Sequence, residues 1–400
     1  MVAPAITPIK IRVPPAAKEG SASTSLSPTS ARAPVDAADP DPAFSNWAPW
    51  VLAALKGQAC PCLPPATPAP ALALALFIHT GDDAAASLAR VAYLEAAFRE
   101  AGALGAGGAP ALHASLVGDP ASADFAALAV AAAAASASDP STLISLVPRT
   151  NAHAPAAPPA SVHVAVSVGG LARLSAAPCP PAPAFFAGDE AADEASVAAY
   201  RARAGEDAAA FLRERAREAS PGGLLLAITP GTLGARSAFD APLAAVRDAA
   251  AAGVASGEVD GCLLKSFAAP LYCFEARELE AAAASTGDWI VLQRGAATLP
   301  GPLDALRGGA VTAAEYGAAV AAEASSLLGA SLRNALSLTP AAEAALYVRA
   351  AALAAGDPAR YAHRSVAAAV LLQRRGGAVP RPRTGGRRDW FESRRRSTDV

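Results

Sequence analysis

The chain has 400 residues, enough for one large domain or two smaller ones, and its net charge of −2 gives no global field to attract nucleic acid. Its hydrophobic fraction is 53%, but alanine dominates it and aromatics supply only 5%, so a core must rely on scattered Leu, Val, Ile, Phe and Trp. The five cysteines, Cys60, Cys62, Cys179, Cys262 and Cys273, are too sparse for a disulfide framework and suit free thiols in a reducing compartment.

Residues 1–42 are rich in Pro, Ser, Thr and Ala, and Lys10, Arg12, Lys18 and Arg32 outnumber the acids before Asp36. Two readings stand: a disordered leader, or an organelle transit peptide, which would place the protein in the cytoplasm or the plastid respectively. Residues 44–57 read as a short helix. Cys60-Pro-Cys62 has no second pair at zinc spacing, so no metal is expected.

Residues 71–78, ALALALFI, form an apolar run between Pro70 and Gly81, the pattern of a buried parallel strand. Asp82 to Arg99 reads as an amphipathic helix with Leu88, Val91, Leu94, Ala97 and Phe98 on one face. Further strands are expected near 111–117, 141–147, 161–168, 223–229, 288–294 and 366–373, with helices between most of them. The run Ala126 to Ala137 is too short and too weakly apolar to span a bilayer. Alternation of strand and helix predicts an α/β sheet covered by helices on both faces. Residues 376–400 form an Arg-rich tail, read as disordered, with an electrostatic contact to RNA or an anionic membrane as the alternative.

Residues 196–294 carry the most specific pattern. Tyr200, Glu206-Asp207, Phe211 and Leu212 lie on one helix, and Pro221-Gly222-Gly223 precedes the apolar GLLLAIT strand. Asp260, Ser266, Phe267, Pro270 and Tyr272 then form an aromatic loop. This order resembles the core of the plant-type small-molecule carboxyl methyltransferases, the SABATH family, which use S-adenosylmethionine (SAM). The resemblance covers roughly residues 44 to 375. It implies a Rossmann-like seven-stranded SAM-methyltransferase sheet with an α-helical cap. The domain would occupy 43–375, with the cap at about 178–220, 235–285 and 300–357. The last strand would be inserted antiparallel.

On the cofactor side, Asp119 falls on the family's ribose-binding acid, with Asp124-Phe125 on its Asp-Phe pair, and Pro120 replaces a Leu that touches the cofactor. Asp119-Pro120 could instead simply start a turn. Gly81 falls on the first glycine of the family's Asp-Leu-Gly-Cys-x-x-Gly turn, His79 on its Asp, and Ala84 or Ala85 on the second glycine. A Cβ there hinders close backbone approach. Asp82 or Asp83 either substitutes for the lost Asp or caps the following helix. Thr150, after Val147-Pro148, falls on the adenine-side Ser, while Asn151 replaces the Phe. Ser167 is assigned to the cofactor side.

On the substrate side, Leu171, Leu174 and Ser175 match the family. Arg173 falls on the Trp that helps hold the substrate carboxylate; a guanidinium can do this, or it can be a surface residue. Phe267 and Tyr272 would lie near the substrate, or pack the cap. Trp50 falls on the family's Gln, and Trp47 on its Ser, when Asn46 takes the Asn.

Methyl transfer from a sulfonium to a carboxylate needs alignment and a dry pocket rather than acid–base chemistry, so no catalytic side chain is assigned. The resemblance therefore implies a SAM-dependent O-methyltransferase acting on a small carboxylic acid, in a family whose members are often homodimers. The altered glycine turn supports an alternative: a catalytically impaired relative serving as a ligand- or partner-binding module.

Overall fold

The structure, a computed structural model, describes residues 42–56, 72–77, 84–100, 112–118, 123–138, 142–148, 153–178, 185–189, 192–234 and 236–376. The leader up to residue 41, the tail from residue 377, and Cys60, Cys62 and Cys179 lie outside them. The first half alternates helix and strand: α1 (Pro42–Lys56), β1 (Leu72–Phe77), α2 (Ala84–Glu100), β2 (Leu112–Gly118), α3 (Ala123–Ser138), β3 (Thr142–Pro148) and β4 (Val162–Val168). Next come α4 (Glu194–Glu218), β5 (Ala219–Pro230) and a small hairpin of β6 (Thr232–Leu233) and β7 (Arg236–Ser237). The chain continues through α5 (Asp240–Ala255), α6 (Gly261–Ser266), α7 (Ala276–Thr286) and β8 (Trp289–Leu299). It closes with α8 (Pro302–Arg307), α9 (Ala313–Ala335), α10 (Pro340–Gly356) and β9 (Ser365–Arg374). No helix among the described residues is long and apolar enough to cross a membrane.

Seven strands form one sheet in the order β3-β2-β1-β4-β5-β9-β8. β1 to β5 are parallel, and β9 enters antiparallel between β5 and β8, as the resemblance implies. Period-two projection explains why the strands read as unbroken apolar runs. In β1, Leu72, Leu74 and Leu76 face a core made with α1, α2 and α3. Ala75 and Phe77 face a second core made with α4 and α7.

α4 begins at Asp193, whose carboxylate accepts the Ser196 N–H at 2.8 Å. Its buried stripe runs through Tyr200, Ala204, Ala208, Phe211 and Leu212, at helical spacing, onto the sheet. The stretches 178–220 and 235–285 are expected in the cap, and α5 of the second does join it. α4 and α7 instead flank the sheet, because their apolar stripes match its second face. The cap core joins α5, α8, α9 and α10 through Val246, Leu303, Val320, Leu328, Leu346 and Ala350. Thr312 and Glu315 form a capping box on α9. A Cβ on Gly317 of α9 would run into the Ala351 carbonyl and the Ala355 side chain of α10, so glycine permits their close crossing.

Pro221-Gly222-Gly223 does not precede β5 but forms an irregularity inside it. Gly222 has φ 77°, and the register with β4 shifts between Val162 and Val164. At this point Nδ1 of His163 accepts the Ala73 N–H at 3.0 Å, continuing the β1–β4 edge with a side chain. His113 similarly bonds Ser145 Oγ at 2.8 Å across β2 and β3.

Burial holds the His163 imidazole below its ordinary 6.5, and the Ala73 bond requires Nδ1 without a proton. His153 is lowered in the same direction, chiefly by burial. The unfolded chain therefore takes up protons first, so this stability is complete above about pH 6.5 and is lost as pH falls toward the lowered folded values. Melting at about pH 7.5 and about pH 5.5 should show the acid loss, and His163→Leu should flatten it while removing about 1 kcal/mol at the higher pH. Gly317→Val should cost about 2–3 kcal/mol, read from the urea midpoint.

Candidate active site

Strands are added on one side of β1 by β2 and β3, and on the other by β4 and β5, so the chain changes direction between β1 and β4. In open α/β sheets such a switch point leaves a crevice beyond the carboxyl ends of the strands. Here the ends are level: Phe77 pairs with Val117 and with Ser167, and Gly118 pairs with Pro148. Gly118 and Ser167, at the ends of β2 and β4, are buried and small. Gly81, Asp119, Pro120 and Thr150 belong to the segments that follow β1, β2 and β3, and lie outside the described residues. So do His79, Asp82, Asp83 and Asn151.

The segment leaving β4 is well anchored. Gly169, with φ 84°, donates its N–H to Ile228 O at 2.8 Å. The Leu174 N–H donates to Pro270 O at 2.8 Å, and the Tyr272 N–H to Ala172 O at 2.9 Å. Ser175 donates both its N–H, at 2.7 Å, and its hydroxyl, at 2.9 Å, to the Asp207 carboxylate on α4. Arg203 joins that cluster through Ser175 Oγ.

These contacts bring Ser167, Leu171, Arg173 and Tyr272 together around the exit of β4. Leu171 is buried against α4. Arg173 is exposed, forms a bridge with Leu271, and reaches the cap, where Nη2 donates to Leu327 O of α9 at 3.0 Å. Tyr272 is buried, and its hydroxyl donates to Glu278 at 2.9 Å; burial first, then the Glu278 charge, raises its pKa well above 10.0. Phe267 lies further into the cap. Its ring packs at a tilt against Phe185, 4.9 Å between centroids, beside a hollow of about 150 Å³.

Trp50 is placed elsewhere. It packs with Trp47 at 4.7 Å over Gly295 of β8, with β5 and β9 between it and β4. Phe125 is half-buried at the start of α3.

A cleft of about 270 Å³ opens between α4, the β6–β7 hairpin and α5, lined among others by Phe186, Phe239, Asp240, Tyr272 and Cys273. Burial pushes the Cys273 thiol up to about 12, which removes it as a nucleophile near neutrality. Burial also raises the Asp240 carboxyl, and its Oδ2 accepts the Ser237 N–H at 2.9 Å. The cation at the rim, Arg201, is paired with Glu278 at 2.9 Å. The charge of this cleft thus offers little to an anion. Among the described residues, no group of three or more His, Cys, Asp or Glu could hold a metal ion.

Sequence reasoning passed over two charged residues of α4. Arg215 and Glu218 are buried beneath Phe77 rather than on a solvated face. One signal pointed inward: Arg215 follows Phe211 by four positions, on the buried stripe of the helix.

No protein-family model matches the chain, and no curated protein matches it. Among solved structures, it is similar to loganic acid methyltransferase with SAH, with a TM-score of 0.66 and 15% identity over 85% of this chain and 95% of that one. The [4+2]-cyclase SpnF is more distant, at TM-score 0.38 and 12% identity over 82% of this chain and 80% of its own. The likeness to the first of these shows the fold alone: a Rossmann-like α/β fold with a seven-stranded mixed sheet flanked by helices.

The Ser175–Asp207 contact carries a prediction. Asp207→Ala should cost about 1–3 kcal/mol and speed amide exchange through residues 171–175, measured by hydrogen exchange with mass spectrometry.

Proposed function

We propose that the protein is a SAM-dependent O-methyltransferase that acts on the carboxylate of a small organic acid. What supports this reading is the β1/β4 switch point, the place where open α/β sheets take their ligands, in a fold similar to that of loganic acid methyltransferase. Small residues at the ends of β2 and β4, Gly118 and Ser167, fit close approach of a cofactor to the backbone. When bound, SAM supplies an activated methyl group on its sulfonium.

The rest is positioning. Asp119 would accept the ribose hydroxyls, Gly81 would admit the methionine part, and Pro120, Thr150 and Ser167 would contact the remaining cofactor surface. Leu171, Phe267 and Tyr272 would exclude water around the acid. A carboxylate is already ionised near neutrality, so no side chain has to remove a proton. Arg173 is the cation assigned to that carboxylate. One Nη2 bond holds its guanidinium at Leu327, and its remaining donors make no hydrogen bond among the described residues. Trp50, packed at β8, would act only through the fold.

The second reading, a binding module without catalysis, is favoured by one observation: Ala84 or Ala85 stands where the second glycine of the cofactor turn is expected.

Calorimetry of the full chain with SAM separates the two. Micromolar binding that weakens at least about tenfold in Asp119→Ala, about 1.4 kcal/mol, is expected for the enzyme. No binding by a folded chain selects the module. With a methyl-accepting acid in hand, Arg173→Met should raise KM about tenfold while leaving SAM affinity unchanged.

A further inference from the structure

Arg215 and Glu218 join three parts of the molecule behind the crevice. Arg215 is 1% exposed and Glu218 3%, and they pair at 2.9 Å. The guanidinium lies 4.3 Å from the ring centroid of Phe77 and 5.1 Å from that of Phe211. Its Nη2 also donates to Ala154 O at 2.8 Å. Glu218 accepts the N–H groups of Ala156, at 2.5 Å, and Ala157, at 3.2 Å. Burial pushes the Glu218 carboxyl upward, while Arg215 and the two amides pull it down.

A buried ion pair contributes little net stability, since desolvation offsets its attraction, and apolar side chains of similar volume often replace it at no loss. What apolar packing does not supply is direction. A planar guanidinium stacked on one ring, and a carboxylate accepting two successive amides, fix orientation as well as distance. The two segments so fixed are the end of β1, at Phe77, and the stretch 153–157 between β3 and β4. Phe77 ends β1 at the switch point, and the 153–157 stretch runs along α4 to the amino end of β4, where the Ser161 N–H donates to Glu218 O at 2.8 Å.

We infer that Arg215 and Glu218 are positioning residues of the crevice, holding the end of β1 and the 153–157 segment in register for the cofactor. This rests on the reading that the crevice takes SAM. Neither residue touches the reacting atoms.

The test uses full-length Arg215→Met/Glu218→Gln, in which no buried charge is left unpaired. Its melting temperature is expected to stay close to that of the wild type. Hydrogen exchange at the end of β1 and in 153–157 should rise about tenfold or more, with α9 unchanged, and SAM affinity should fall at least about tenfold. Wild-type exchange in a folded double variant overturns the inference. So does raised exchange with unchanged SAM affinity. Arg215→Lys keeps the charge but loses the plane and the fork, and should lose affinity as the double variant does; full affinity in it overturns the argument from geometry. If the double variant does not fold, Arg215→Lys, which keeps a cation beside Glu218, takes its place with the same exchange criterion. A wild type that binds no SAM ends the enzymatic reading, and exchange then decides whether the pair holds the two segments.

Discussion

Where β4 is laid beside β1, the chain stops adding strands on one side and begins on the other. Helices cannot cover both departures from the same point, and in open α/β sheets this leaves a crevice at the carboxyl edge. The remaining architecture follows from that opening. α4 and α7 close one face behind it, α1, α2 and α3 close the other, and the cap, held through Arg173 and Leu327, stands over the exit of β4. A site built this way needs few reactive side chains. It needs strand ends that stay level, a stiff connection behind them, and a cover that keeps water out.

Much of this fold could be read from the chain because strand and helix obey different periods. ALALALFI could bury both faces only inside a sheet, and the structure uses both. The late strand after a long helical stretch was legible for the same reason, and it enters antiparallel. What could not be read was which surface a helix chooses. α4 has an apolar stripe that would suit a cap or a sheet equally well; only the spacing of Phe77, Ala165 and Leu225 on the facing strands decides it. The Pro-Gly-Gly sequence signals a break in the backbone, but the partner strand determines that the break is absorbed as an irregularity in pairing.

The candidate site was legible in part. Local spacing brought the β4 exit and the 267–272 segment into view together, and backbone hydrogen bonds do join them. Trp50 was matched by counting along the chain, which says nothing about where α1 docks; two adjacent indoles and a facing glycine on β8 put it there. Arg215 and Glu218 escaped because charges three residues apart normally decorate a solvated face. The depth at which α4 lies beneath β1 is a tertiary property.

The antiparallel insertion of β9 also bears on how the protein forms during synthesis. Among the described residues β8 pairs with β9 alone, and β9 occupies residues 365–374. While the ribosome is still making the cap helices, β5 therefore presents an open edge and β8 has no partner in the sheet. The sheet closes only when that late strand has emerged and threads into the gap. From the completion of β5 until β9 is made, such a chain carries an unpaired apolar strand edge, the condition under which nascent proteins draw on chaperones.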